Sequence, residues 1–280
     1  MKQETHLVPM HGGGHVALHR YKPSNPVGLP VVVAHGTLSN QLAVEHLGVF
    51  FAEQGFDTWL LEWGGHGQAR PAHRQQNFEY PALNDLPVAI DFVVQHTGHS
   101  QLHWTSHSGG GLLALMLLAR QPERTSQIKS LSLIGAQVTD AAPNLKEKMR
   151  IAALGALTRL FGRTPRKLVP IGPEGEPTLL LVQWCKWNLS GKWKGADGFD
   201  YLAALKQVRV PSLVIAGGRD DVAPPKGCRR IYEALGGPKT WHECTVQKGF
   251  SKDFSHSQMI RGEAAKTEVF PLLHQFIQTI

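Results

Sequence analysis

Ser106-His107-Ser108-Gly109-Gly110-Gly111-Leu112 is the stretch on which the reading of this 280-residue chain turns. Ahead of it, Gln101-Leu102-His103-Trp104-Thr105 is short and β-leaning. Behind it, Leu112-Leu113-Ala114-Leu115-Met116-Leu117-Leu118-Ala119-Arg120 is an unbroken run of helix formers. A serine between small residues on a strand-to-helix turn is the pattern of a nucleophile elbow, where the tight turn pushes the hydroxyl out of the sheet. Small neighbours are required because the bend brings the helix and strand backbones together. The strict pattern is Gly-x-Ser-x-Gly; here Ser106 stands at the first glycine and Gly110 at the second. The plain alternative is a glycine-rich turn entering a buried helix.

Working outward, strand and helix patterns alternate, which predicts a mostly parallel sheet covered by helices on both faces. Val16–Tyr21 alternates like a half-exposed strand after a Gly12-Gly13-Gly14 turn, and Val31-Val32-Val33-Ala34 reads as a strand buried on both faces. A helix is expected from Gln41 to Gln54, stopped by Gly55. Thr58–Leu61 is the next strand, and a helix from about Leu83 to His96 leads to the elbow strand. Ser130–Ile134, Ser212–Ala216 and Thr240–Val246 complete the strands, and Gly262–Ile280 closes the chain as an amphipathic helix. The interval 140–207 breaks this rhythm and reads as a cap inserted into a core of residues 1–139 and 208–280. It holds a basic helical stretch (Lys146, Lys148, Arg150, Arg159), a loop rich in Pro and Gly (Pro165, Pro170, Gly172, Pro173, Gly175, Pro177), then Trp184, Trp187 and Trp193. The basic stretch is expected to be a solvated outer face; the alternative is transient contact with a lipid surface.

A serine hydroxyl needs a general base and a carboxylate that orients it. In an elbow-type fold both follow the serine, acid first. Gly217-Gly218-Arg219-Asp220-Asp221-Val222-Ala223-Pro224 leaves a strand end, and Asp220 is favoured as the acid because it comes straight out of the turn. Asp221 is the rival, with a second role available as a helix cap. Of fifteen histidines, His256 alone lies in a loop between the last strand and the last helix; His242 falls in a strand and His274 in a helix. Two N–H groups should form an oxyanion hole. One is expected from Gly109 and the other from Thr37, in His35-Gly36-Thr37-Leu38; His11-Gly12-Gly13-Gly14 competes but is better explained as a hairpin turn.

Composition narrows the classes. Hydrophobic residues make up 42% of the chain, enough for a sizeable core, and no run approaches the roughly 18 apolar residues of a membrane span. The net charge of +7 is spread along the chain without a nucleic-acid-binding motif, so no nucleic-acid partner is expected. The N-terminal residues carry no signal-like apolar run, and three dispersed cysteines read as reduced thiols, so a cytoplasmic location is expected. No metal and no organic cofactor is expected: His96, His99, His103 and His107 cross three element types, and Gly109-Gly110-Gly111 has neither a phosphate-loop nor a dinucleotide spacing.

Three stretches resemble the acid lipase family, the gastric and lysosomal lipase relatives within the α/β-hydrolase superfamily. They are Asp85–Phe92 continuing to His107-Ser108-Gly109-Gly110; Gly217–Pro225; and His256 through Met259, Gly262, Ala264 and Val269. The resemblance implies an α/β-hydrolase fold with Ser108, Asp220 and His256 as triad, and it independently favours Asp220. The sequence departs from that family at Ser106, which replaces a glycine, and at Gly109, which replaces a glutamine. The fold and triad carry over; triacylglycerol as substrate does not. The expected activity is hydrolysis of a hydrophobic carboxylic ester through an acyl-enzyme. Acyl transfer or cleavage of an amide, thioester or carbon–carbon bond by the same triad is the alternative, and a catalytically silent ligand-binding module is a third reading.

Overall fold

The computed structural model describes residues 1–73, 76–162, 164 and 172–280; Pro165 and Pro170 of the expected cap loop lie outside them. Eight strands form one sheet: β1 (Lys2–Pro9), β2 (His15–Lys22), β3 (Val31–Ala34), β4 (Thr58–Glu62), β5 (Leu102–His107), β6 (Ile128–Ile134), β7 (Ser212–Gly217) and β8 (Lys239–Cys244). Their order is β1-β2-β4-β3-β5-β6-β7-β8; pairing is antiparallel from β1 through β4 and parallel across the rest. The helices are α1 (Glu45–Glu53), α2 (Leu86–Thr97), α3 (Gly109–Arg120), α4 (Leu145–Phe161), α5 (Thr178–Ser190), α6 (Tyr201–Ala204), α7 (Pro225–Ala234) and α8 (Phe270–Thr279).

The short β-branched strands work because alternate side chains face opposite sides of the sheet. Val31, Val33, Ile134, Leu213 and Ile215 pack with Leu47 and Phe51 of α1 and with Phe270 and Leu273 of α8. Val32, Ala34, Trp104, Leu131, Leu133 and Val214 pack on the other face with α2, α3 and α7. Helix α3 is buried from Gly109 to Ala119, which is why its sequence has no polar face.

Several expectations are corrected. β1 was not anticipated, because its residues are mostly polar and exposed. β2 is buried rather than half-exposed: flanked by β1 and β4, it turns its polar side chains to partners. Arg20 grips Asp57 with two hydrogen bonds (2.9 and 2.6 Å), and His19 Nε2 lies 3.0 Å from Glu62 Oε2. The single helix expected over Gln41–Gln54 is a 3₁₀ turn, Gln41–Ala43, followed by α1. A widened turn, Pro81–Asp85, likewise precedes α2.

Between β6 and β7 lie α4, α5 and α6. This segment is not uniformly peripheral: Trp187, Trp193 and Tyr201 join the main core beside α3. On α4, Ile151, Gly155 and Thr158 face inward, while Leu145, Met149, Leu160 and Phe161 are exposed. No helix among the described residues is long and apolar enough to cross a membrane.

The chain leaves β3 for β4 on one side and returns to β5 on the other. The strand order therefore reverses between β3 and β5, and a crevice opens beyond their carboxyl ends. In open α/β sheets, ligand sites form at such reversals.

Candidate active site

Ser108 occupies the turn from β5 into α3 with φ 51° and ψ −120°, a strained conformation for a residue with a side chain. Its N–H donates to the Ile134 carbonyl (2.8 Å), tying the turn to β6. Ser106, the departure from the elbow pattern, is fully buried, and its hydroxyl donates to the Ser132 carbonyl at 3.2 Å. The extra polar atom thus finds a partner across the β5–β6 pair. Gly109 sits directly against the loop after β3: a Cβ there would lie 2.7 Å from Thr37 Cγ2 and 3.0 Å from Thr37 N. The two expected oxyanion donors are therefore neighbours. The Gly109 N–H heads α3 and has no acceptor within the helix. The Thr37 N–H donates to no protein group among the described residues.

The acid loop follows β7. Asp220 is buried; its Oδ1 accepts from the N–H groups of Val222 (2.9 Å) and Ala223 (2.7 Å), and its Oδ2 accepts from His256 Nδ1 at 2.7 Å. Asp221 is exposed and does not cap α7, which starts behind Pro224 with no side-chain cap. The His256 loop is fixed to the acid loop through the Arg219 N–H, which donates to the Phe254 carbonyl (3.0 Å).

His107, beside the serine, supports His256 from below. Its Nε2–H donates to the His256 carbonyl (3.1 Å), and the two rings lie 4.4 Å apart. Burial, then the nearby His256, holds the His107 pKa well below the ordinary histidine value, so it serves as a neutral donor. Gly135, just past β6, gives the His256 ring its room: a Cβ there would lie 3.1 Å from His256 Nδ1. On the other wall, the His35 ring stacks 5.1 Å from that of Trp63, and its Nδ1–H donates to the Gly36 carbonyl (2.7 Å). Burial pushes the His35 pKa down to about 3.

Ser108, His256, Thr37 and Gly109 all line one cavity of about 620 Å³, within the range of small-molecule sites. Its walls are largely apolar, with Leu112, Ile151, Leu154, Leu157, Leu180 and Trp184 among them. Of the three tryptophans in the expected cap, Trp184 lines the cavity, whereas Trp187 and Trp193 are core residues. Sequence reading did not single out His107 and Gly135 for these roles. Their signals were available: a histidine adjoining the nucleophile, and a glycine closing a strand. Elsewhere, Glu4, His6 and His96 bring ligand-type atoms within 4.8 Å of one another at the β1 edge, far along the sheet from Ser108. Glu4 is already paired there with Lys2 and Arg20.

Comparison with known proteins bears on the fold. The family described as alpha/beta hydrolase fold matches residues 30–166. Human gastric triacylglycerol lipase is 28% identical over 150 residues, 48% of this chain and 38% of the lipase. Human lysosomal acid lipase/cholesteryl ester hydrolase is 29% identical over 133 residues, 42% of this chain and 32% of that protein. The matched stretches thus span about a third of the length of these relatives. The solved esterase from Exiguobacterium antarcticum superposes with a TM-score of 0.68 at 17% identity, covering 98% of this chain and all of that one (100%). The chain has the α/β-hydrolase fold and resembles the acid lipases in sequence.

Proposed function

We propose that this α/β-hydrolase-fold chain is a serine hydrolase that cleaves carboxylic esters of hydrophobic acyl groups. In this reading Ser108 Oγ attacks the ester carbonyl while His256 takes its proton, and Asp220 fixes the ring and stabilises the imidazolium. The N–H groups of Gly109 and Thr37 receive the developing oxyanion. His256 then returns the proton to the leaving alcohol, and water activated by the same base releases the acid and restores Ser108. The observation that carries the reading is the 2.7 Å Asp220–His256 hydrogen bond, set in one cavity with a serine at φ 51°. The apolar walls favour a medium or long acyl chain. No cofactor enters the proposed chemistry, and the triad would serve a thioester or amide by the same steps, which keeps those substrates as the alternative.

The residues between 140 and 207 act in this reading as the cap over the site. Away from the cavity they expose Leu145, Met149, Leu160 and Phe161 together with Lys146, Lys148 and Arg159, which supports transient contact with an anionic lipid surface; Arg150 instead lines the cavity. The three cysteines are free and buried, in keeping with a cytoplasmic setting.

Hydrolysis of p-nitrophenyl esters from acetate to palmitate tests the reading. Ser108→Ala is expected to lose about 10⁶-fold in turnover and to remain folded. Asp220→Asn is expected to lose about 10⁴-fold, and Asp221→Asn to stay near wild type. A folded wild type that hydrolyses no ester and takes no fluorophosphonate label would leave the silent binding module in its place.

A further inference from the structure

Among the described residues, only Ser108 and Leu38 combine a side chain with a positive φ, 51° and 59°. They stand on opposite sides of the proposed oxyanion hole. The elbow accounts for Ser108. Nothing local accounts for Leu38, a bulky residue in a conformation that favours glycine.

Its support comes from the cap side. The Leu38 N–H donates to Glu176 Oε1, and the Leu38 carbonyl accepts from the Glu174 N–H (3.1 Å), so both backbone groups of one residue are held by one short segment. Asn40 Nδ2 donates to Glu174 Oε1 at 2.7 Å. Gly172 lies so close to the Leu38 carbonyl that any side chain there would overlap it. Glu176 is itself buried and faces His66, whose Nε2 is 3.0 Å from Glu176 Oε1 and whose Nδ1 is 2.6 Å from the Trp63 carbonyl. Although burial opposes it, the neighbouring Glu176 carboxylate holds the His66 pKa above the ordinary histidine value, so the two form a buried pair. Burying an ion pair is costly, and replacing such a pair by apolar side chains of similar volume is often neutral or stabilising. A carboxylate at this point is explained by what it holds. Leu38, Gly172 and Pro173 also line the cavity.

We propose that residues 172–176 form a strap that assembles the oxyanion hole: Glu176, assisted by Glu174, holds Leu38 in its left-handed conformation and so aims the Thr37 N–H into the cavity. Seating of the strap and completion of the hole are then one event, with Glu176 a positioning residue. The proposal rests on the serine-hydrolase reading above.

Glu176→Leu and Glu176→Gln, each with and without Leu38→Gly, test it. Glu176→Leu is expected to lower kcat about 30-fold or more with KM within threefold, because removing an oxyanion donor costs about 10²–10³-fold. The rate of fluorophosphonate labelling should fall in parallel. Glu176→Gln keeps an acceptor for the Leu38 N–H and should lose less than tenfold. Glycine adopts positive φ freely, so in the Leu38→Gly background Glu176→Leu should cost less than threefold. An equal penalty in both backgrounds, or a change in KM alone, overturns the strap. Hydrogen exchange of the 36–40 amides gives a readout independent of turnover: faster exchange in Glu176→Leu is expected, and unchanged protection overturns the proposal. A wild type with no Ser108-dependent turnover or labelling would fell the hydrolase reading while exchange still decides the strap. Should Glu176→Leu not fold, Glu174→Ala removes the side-chain acceptor of Asn40 Nδ2 and leaves the Glu174 N–H on the Leu38 carbonyl and the Asn40 Oδ1 cap of the Leu42 N–H in place. It is expected to lower kcat threefold or more, and an unchanged kcat and exchange in that variant counts against the strap.

Discussion

The two walls of the proposed oxyanion hole are built by different means. The Gly109 wall is local: strand, turn and helix lie within residues 102–120, and backbone packing fixes the N–H without any distant side chain. The Thr37 wall is made at long range. Its strained neighbour Leu38 is held by a carboxylate 138 residues further along the chain. One wall is part of the sheet's buried centre, and the other contacts the segment inserted between β6 and β7. On the proposed reading, the nucleophile wall can stay intact while the other wall is controlled from outside the core.

Gly109→Ala should produce the largest effect on this comparison, because it strikes both walls. The added methyl would meet Thr37 Cγ2 at 2.7 Å and Thr37 N at 3.0 Å. Either the elbow or the Thr37 loop must shift, and turnover is expected to fall about 100-fold. Thr37→Ser removes the Cγ2 obstacle only, so the double variant should recover part of the loss, about tenfold, in kcat. Full recovery would mean that Thr37 N can move freely and that the two walls are less tightly opposed than their contacts indicate.

This difference also explains what was legible in the sequence. The elbow, the acid after β7 and the histidine before α8 all follow from local signals: a strand, a turn residue, a helix start. The same holds for β3 and β7, whose runs of aliphatic and β-branched residues are buried along their whole length. β1 was missed because an edge strand with mostly polar residues carries little periodic signal. β2 was read as half-exposed because His19 and Arg20 resemble surface residues until their partners Glu62 and Asp57 are in place. Glu176 lies in a loop rich in Pro and Gly, where nothing local marks a buried carboxylate. Only the packed chain brings Leu38 and His66 to it.

In acid the walls should weaken together. Burial keeps His35, on the Thr37 wall, neutral down to about pH 3, and lowers His107, on the elbow wall, well below the ordinary value. A histidine whose folded pKa is depressed contributes stability that is present above the unfolded value of 6.5 and lost as pH falls, because the unfolded chain takes the proton first. His35 alone should cost about 2 kcal/mol between pH 6.5 and pH 5. Asp85 works in the opposite sense. Burial raises its carboxyl to about 6, so its contribution improves as pH falls through that value. Urea unfolding at pH 7 and pH 5 should show a net loss in acid, and Asp85→Asn should steepen it. A stability unchanged in wild type and Asp85→Asn alike would mean that these histidines are hydrated in solution.

The smallest effect is expected at Ser106, and it separates packing from chemistry on the local wall. Its hydroxyl is buried and bonded to the Ser132 carbonyl, away from the cavity, so Ser106→Ala removes one neutral hydrogen bond. That should cost about 1 kcal/mol of stability and change turnover less than twofold. Ser106→Gly restores the usual elbow residue but adds backbone freedom inside β5, about 0.5–1 kcal/mol more. The glycine variant should therefore be the less stable of the two, even though it matches the common pattern. The reverse order would show that the β5–α3 approach is strained by the serine. A turnover loss on the scale of Ser108→Ala would instead shift the nucleophile two residues upstream, and the local wall would have to be redrawn around Ser106.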